Sequence, residues 1–162
     1  MYYNKLNQKI ISADALYRKI NLWRFHSNKI VFTNGCFDVL HLGHVEYLSK
    51  ARDLGNILIV GLNTDSSVKK QNKSPERPIN SENTRASILA ALECVDGVVF
   101  FDEETPYELI KKIQPDVLVK GGDYKTEEIV GYDIVKARGG QTLTIALTEG
   151  FSTTSLIKKL KG

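Results

Sequence analysis

A chain of 162 residues is long enough to bury a substantial core, about 70% of its unfolded surface. With 42% hydrophobic and 25% charged residues its composition is that of a soluble globular protein, and no apolar run approaches the roughly 20 residues that cross a bilayer. The net charge of +3 is too small by itself to suggest nucleic acid, and none is expected as a partner, but the charge is concentrated in one stretch, where Lys69, Lys70, Lys73 and Arg77 face Glu76 alone.

The opening residues MYYNKLNQKI lack the apolar core and small-residue cleavage site of a secretion signal. They read as a start without regular structure, and the chain as cytoplasmic, with no membrane partner. Ser12 then caps a helix with Leu16, Ile20 and Trp23 on one face, so residues 1–28 form a helical extension. Short β-branched runs follow at Ile30 to Phe32, Ile57 to Val60, Val98 to Phe100 and Val117 to Val119. Runs of this kind are buried strands of a parallel sheet. Gln141 to Leu147 alternates and reads as a fifth strand with one wetter face.

Helical patterns fill the gaps. The first runs from about Gly43 to Leu54 with Val45, Leu48 and Ala51 inward and Gly55 as its stop. Another starts near Ser81 with Ala86, Leu89 and Ala90 inward. A third opens at Thr105-Pro106-Tyr107-Glu108, read as a capping box with proline first in the helix. A fourth runs from Thr126 to Gly139-Gly140, and the last starts at Ser152 with Leu156, Ile157 and Leu160. Strand–helix alternation without repeats or linkers predicts one domain over 1–162. Its fold is α/β, a doubly wound, Rossmann-like five-stranded parallel sheet with helices on both faces. In such sheets ligands bind beyond the carboxyl ends of the strands. That singles out Asn34 to His44, Leu62 to Asp65, Lys120 to Tyr124 and Glu149 to Ser155.

The first of these corners reads TNGCFDVLHLGH from Thr33 to His44. It contains neither GxGxxG nor GxxxxGK[ST], so it is neither a dinucleotide fingerprint nor a P-loop. Instead Gly35 sits at the turn, and His41 and His44 flank Gly43 at a helix start, whose free N–H groups attract anions. A metal site from the two histidines with Asp38 or Cys36 is disfavoured, because no further Cys/His cluster completes it. Cys36 and Cys94 form no CxxC pair and read as free thiols.

GCFDVLHLGH resembles the signature of the HxGH nucleotidyltransferases. Further segments carry the resemblance from Lys29 to Lys159: Asn63-Thr64-Asp65, RPIN at Arg77 to Asn80, LVKGGDY at Leu118 to Tyr124 and EGFSTTSLIKK at Glu149 to Lys159. Together they are most similar to the adenylyltransferase half of the bifunctional heptose-phosphate enzymes. The resemblance implies transfer of AMP from ATP, accompanied by Mg²⁺, to a heptose 1-phosphate, giving ADP-heptose for lipopolysaccharide or surface sugars. A separate kinase would supply that sugar phosphate, and the chain could form a homodimer. It also implies roles for residues. His41 and His44 are catalytic, with Lys73 and Arg77 of a basic loop expected to order over the bound substrates. Asn34, Gly35, Cys36, Phe37, Gly43, His44, Arg85, Lys120, Gly121, Gly122, Asp123, Ser152, Thr153 and Thr154 would contact the nucleotide. Asp38, Asn63, Asp65 and Lys73 would contact the sugar phosphate, and no protein ligand is assigned to Mg²⁺.

Two departures from glycerol-phosphate cytidylyltransferases, Leu147 where an arginine is usual and Lys120 where a methionine is usual, favour the heptose branch. Cys36 replaces a common Ser or Thr and puts a hydroxyl contact there in doubt. The remaining alternatives are a cytidylyltransferase acting on glycerol 3-phosphate or another polyol phosphate, and a nucleotide-binding regulatory module without turnover.

Overall fold

The computed structural model describes residues 1–71, 76–148, 150–153 and 156–157. Its centre is a five-stranded, all-parallel sheet in the order β3-β2-β1-β4-β5, built from β1 (Ile30–Gly35), β2 (Ile57–Asn63), β3 (Gly97–Phe101), β4 (Val117–Gly121) and β5 (Gln141–Ile145). The chain runs outward from β1 through β2 to β3, then returns to the other side of β1 for β4 and β5. Strand order therefore reverses between β1 and β4, where the carboxyl ends of neighbouring strands splay apart and leave a crevice.

The β-branched runs form strands because both their faces are covered. Ile30, Phe32, Ile57, Ile59 and Leu118 pack against α2 (Ala13–Phe25), α6 (Tyr107–Ile113) and α7 (Tyr132–Ala137). Val31, Leu58, Val60, Val117 and Val119 pack against α3 (Leu42–Arg52) and α5 (Glu82–Ala91) on the opposite face. This is the two-faced winding that the alternating pattern predicts.

Local signals hold in part. Ser12 caps α2 by accepting from the Ala15 N–H, and Ser81 caps α5 by accepting from Thr84. Four expectations are corrected. The opening residues are not without structure: Tyr2–Asn7 forms α1, and Ile10 and Ile11 reach the edge of the sheet at Val98. Val45 faces outward, and Tyr47 takes the inward place beside Leu48 and Ala51. Thr105 does not cap α6, whose N-cap position is Pro106 with no side-chain bond. The single helix expected after Thr126 is a 3₁₀ turn (Thr126–Glu128) and a separate α7, divided at Gly131 with φ 91°. Gly131 could not carry a side chain there, since a Cβ would lie 2.7 Å from Ile110. In the last helix, Thr153, Leu156 and Ile157 are helical; Leu160 lies outside the described residues.

Candidate functional site

The histidine corner is positioned by β1 and α3. His41 is the N-cap of α3, with extended backbone and its C=O accepting from His44 at 2.9 Å and Val45 at 3.3 Å. The N–H groups of Leu42 and Gly43 consequently have no acceptor within the helix and point out of its start. Gly43 is buried against both the His41 ring and Phe151, where an added Cβ would meet atoms at 3.2 Å. The two imidazoles stack with centroids 3.8 Å apart, and Phe37, in the left-handed region at φ 45°, meets His44 edge-on.

Both Nδ1 atoms are buried and have no hydrogen-bond partner among the described residues. Burial, the neighbouring His41 and the Arg77 cation push His44 down to about 4, and burial lowers His41 as well. In the free protein His44 is therefore a neutral ring at pH 7. An anion arriving beside it would favour the protonated form.

These residues line a cavity of about 430 Å³ with Cys36, Tyr47, Arg77, Leu147, Thr148, Ser152 and Thr153. Tyr47 fastens its wall. Its hydroxyl lies 2.6 Å from Thr33 Oγ1 and donates to Val119 O at 3.3 Å, and burial raises it to about 12. No Asp or Glu is among the cavity's described lining residues.

A second cavity of about 240 Å³ lies across the ends of β1 to β4. Asn34, Asn63, Gln71, Phe101, Glu104, Lys120, Tyr124 and Glu128 are on its walls. Cys36 stands between the two spaces. It lines the first, while its Sγ lies 3.7 Å from Asn63 Oδ1 and 3.4 Å from Gln71 Oε1, on the wall of the second. Two pockets of contrasting charge thus adjoin at the switch point.

The fourteen residues assigned to a nucleotide from sequence do not gather in one place. Cys36, Phe37, Gly43, His44, Ser152 and Thr153 line the histidine cavity, whereas Asn34 and Lys120 line the second. Gly35 packs against the Phe37 ring, and Gly121 lies against Leu147 and Tyr47. Gly122 turns at φ 110° beneath Tyr124, and Asp123 is exposed and lines neither cavity. Lys73 and Thr154 lie outside the described residues.

Arg85 and Asp38 are buried inside the protein instead of facing a cavity. Arg85 is 0% exposed and donates to Asn80 O at 3.1 Å, Cys36 O at 2.6 Å and Asp65 Oδ1 at 2.8 Å. It is neither a solvated arginine nor open to a phosphate, and it engages Asp65 as well. Asp38 is 1% exposed and its carboxylate accepts from Arg77 Nε at 3.2 Å and from the backbone N–H groups of Ile79 and Asn80. Of the other residues assigned to the acceptor, Asn63 is buried, donates to Ser67 at 2.9 Å and borders the second cavity.

Sequence reasoning missed Glu104 and its neighbours at the β3 corner. The rule that singled out the other strand ends applies equally to Phe101 through Pro106, so the signal was present. Glu128 gave none, since its place in the cavity depends on the break at Gly131.

Residues 32–159 match the cytidylyltransferase-like family. Bifunctional protein HldE of Wolinella succinogenes is 54% identical over 155 residues, 96% of this chain and 32% of that protein. HldE of Helicobacter hepaticus is 53% identical over 156 residues, 96% and 31% of the two lengths. The chain spans about a third of the curated relatives it matches. Among solved structures, the lipopolysaccharide core biosynthesis protein of Thermoplasma volcanium superposes with TM-score 0.61 at 28% identity, over 75% of this chain and 97% of that one. Pantoate-beta-alanine ligase of Francisella tularensis shares the fold, with TM-score 0.58 at 16% identity over 94% and 77%. The match begins inside β1, takes in the histidine corner and both cavities and continues into the last helix: the chain belongs to the cytidylyltransferase-like family.

Proposed function

We propose that the protein is an adenylyltransferase that joins AMP from MgATP to a heptose 1-phosphate, releasing pyrophosphate. The observation that carries this reading is the division of charge between adjoining cavities. The histidine cavity holds Arg77, the open N–H groups of α3 and the Ser152–Thr153 pair with no carboxylate among its described lining residues, which suits a triphosphate. Among its described lining residues the second cavity holds Glu104, Glu128 and a single lysine, a balance that repels a triphosphate and suits a polyol carrying one phosphate at Lys120.

A phosphate oxygen of the acceptor attacks the α-phosphorus of ATP, a new P–O bond forms, and the bond to the β-phosphate oxygen breaks. The attacking group is already an anion at neutral pH, so the reaction needs no general base and no covalent enzyme intermediate. Catalysis then rests on in-line placement across the Cys36 partition and on donors aimed at charge developing on the phosphoryl oxygens. His44 and His41 are the candidate donors. Lys73 is assigned to the same task by resemblance alone. Mg²⁺ arrives as part of the nucleotide, since its phosphates supply oxygen ligands and the ion usually keeps several waters. Among the described residues no cluster of three His, Cys, Asp or Glu could hold a metal. A separate kinase as the source of the sugar phosphate belongs to the same proposal.

Pyrophosphate release measured over a matrix of ATP and CTP against heptose 1-phosphate, glucose 1-phosphate and glycerol 3-phosphate tests the reading. ATP with D-glycero-D-manno-heptose 1-phosphate should give the highest kcat/KM. A higher value for CTP with glycerol 3-phosphate would make the protein a polyol-phosphate cytidylyltransferase, and tight nucleotide binding with no release would make it a regulatory module.

A further inference from the structure

Resting on that reading, we propose that Glu104 and Glu128 read the acceptor's hydroxyl groups and make the second cavity selective for a polyhydroxylated sugar 1-phosphate over a short polyol phosphate. The two carboxylates come from separate elements, the β3–α6 corner and the 3₁₀ turn after β4, yet line one space of about 240 Å³. An ionised carboxylate is an acceptor only, with about four lone-pair positions, and its bonds to hydroxyl donors are charge-assisted. That chemistry matches a ligand dense in hydroxyls and opposes one dense in phosphates.

The remaining walls complete a carbohydrate site. Phe101, Pro106 and Ile129 are buried apolar groups in its lining, and Tyr124 presents a half-exposed ring over Gly122. Such surfaces take the C–H faces of a sugar while polar groups at the rim take its hydroxyls. Lys120 is the cavity's single described cation, at the β4 end nearest the strand-order reversal, so the acceptor's phosphate is drawn to the side that adjoins the histidines. The sugar body then extends toward the two glutamates. Among the described residues Glu128 pairs with Lys125, at 3.8 Å between two well-exposed side chains. A pair of that kind is weak, and a ligand hydroxyl can replace it.

Glu104→Ala, Glu128→Ala and the double variant, with the Glu→Gln forms as partial replacements, test the assignment. Both positions are exposed, so the fold should be retained, and circular dichroism checks it. With heptose 1-phosphate as acceptor, each Ala variant should raise KM about tenfold, with kcat and the calorimetric Kd for MgATP within twofold of wild type. The preference for heptose 1-phosphate over glycerol 3-phosphate should narrow by the same factor, and the Gln forms should fall between. Wild type that turns over heptose 1-phosphate, with variants showing an unchanged KM, would overturn this inference and leave the adenylyltransferase reading standing. Wild type with no turnover of any sugar 1-phosphate would overturn the reading and this inference with it.

Discussion

His44 carries two burdens, desolvation and like charge, that together decide how it responds to acid. Its pKa near 4 lies below the ordinary 6.5 because the ring is part-buried against His41 and faces Arg77. The unfolded chain takes up this proton near 6.5, while the folded chain resists it until about 4. Across that window the unfolded state binds more protons, so stability falls as pH falls; above 6.5 the site contributes nothing to the slope. His44→Gln should therefore lose less stability than wild type between pH 7 and pH 5, measured by urea unfolding. On the proposed reaction the same variant should lower kcat by about 10²–10³ with a smaller change in ATP binding, because the ring would then donate to charge that develops in the transition state. An identical acid slope in variant and wild type would remove the buried ring from the account, and near wild-type kcat would remove it from the chemistry. The two histidines were legible from sequence because their spacing at a helix start is a local feature. Arg85 was not: it lies in the first turns of α5, like many solvated arginines, and only the folded chain brings Cys36 O, Asn80 O and Asp65 around it.

At the level of elements, Asp38 ties the histidine corner to the segment that follows the basic stretch. Its side chain is fully enclosed, and it holds Arg77 by a salt bridge while capping the N–H groups of Ile79 and Asn80; Asn80 in turn donates to Asp38 O at 2.7 Å. Removing one partner of such a buried pair leaves the other uncompensated, at a cost of about 3–5 kcal/mol. Asp38→Ala should lose stability on that scale in urea unfolding. Its kcat should fall more than its affinity for the acceptor, because Arg77 faces the histidine cavity and Asp38 does not. A selective rise in the acceptor KM would instead restore Asp38 to substrate contact. The sheet itself was readable because buried parallel strands need continuous apolar runs, which are written locally. Which face a helix buries was less so. In α3 the pattern pointed to Val45, but Tyr47 can bury its ring only because Thr33 and Val119 O satisfy its hydroxyl, and those partners are on β1 and β4.

For the whole molecule, the strand order leaves β3 and β5 as edges, and the opening residues protect the first of them. Ile11 donates its N–H to Val98 O and Val98 donates to Lys9 O, each at 2.8 Å, so Lys9 to Ile11 act as a short extra strand. Ile11 is 3% exposed and its side chain fills the space above Gly97, where a Cβ would lie 2.7 Å away. Nothing in MYYNKLNQKI announces this, since the sequence is polar and its partner lies almost ninety residues later. An uncovered edge offers unpaired N–H and C=O groups to other chains. Deleting residues 1–11 should therefore both destabilise the protein and promote self-association. Loss of the Ile11 side chain and its hydrogen bonds should cost about 2–4 kcal/mol, lowering the thermal midpoint by roughly 5–15 °C for a chain of this size. The second cavity opens beyond the carboxyl end of β3 at Phe101 and the histidine cavity lies at the start of α3, whereas Lys9 to Ile11 meet β3 near its start. Nucleotide affinity measured by calorimetry at low temperature should thus stay within about twofold of the full chain. Light scattering on the shortened protein should show growth of larger species with concentration. An unchanged midpoint and a constant mass would mean that β3 needs no cover.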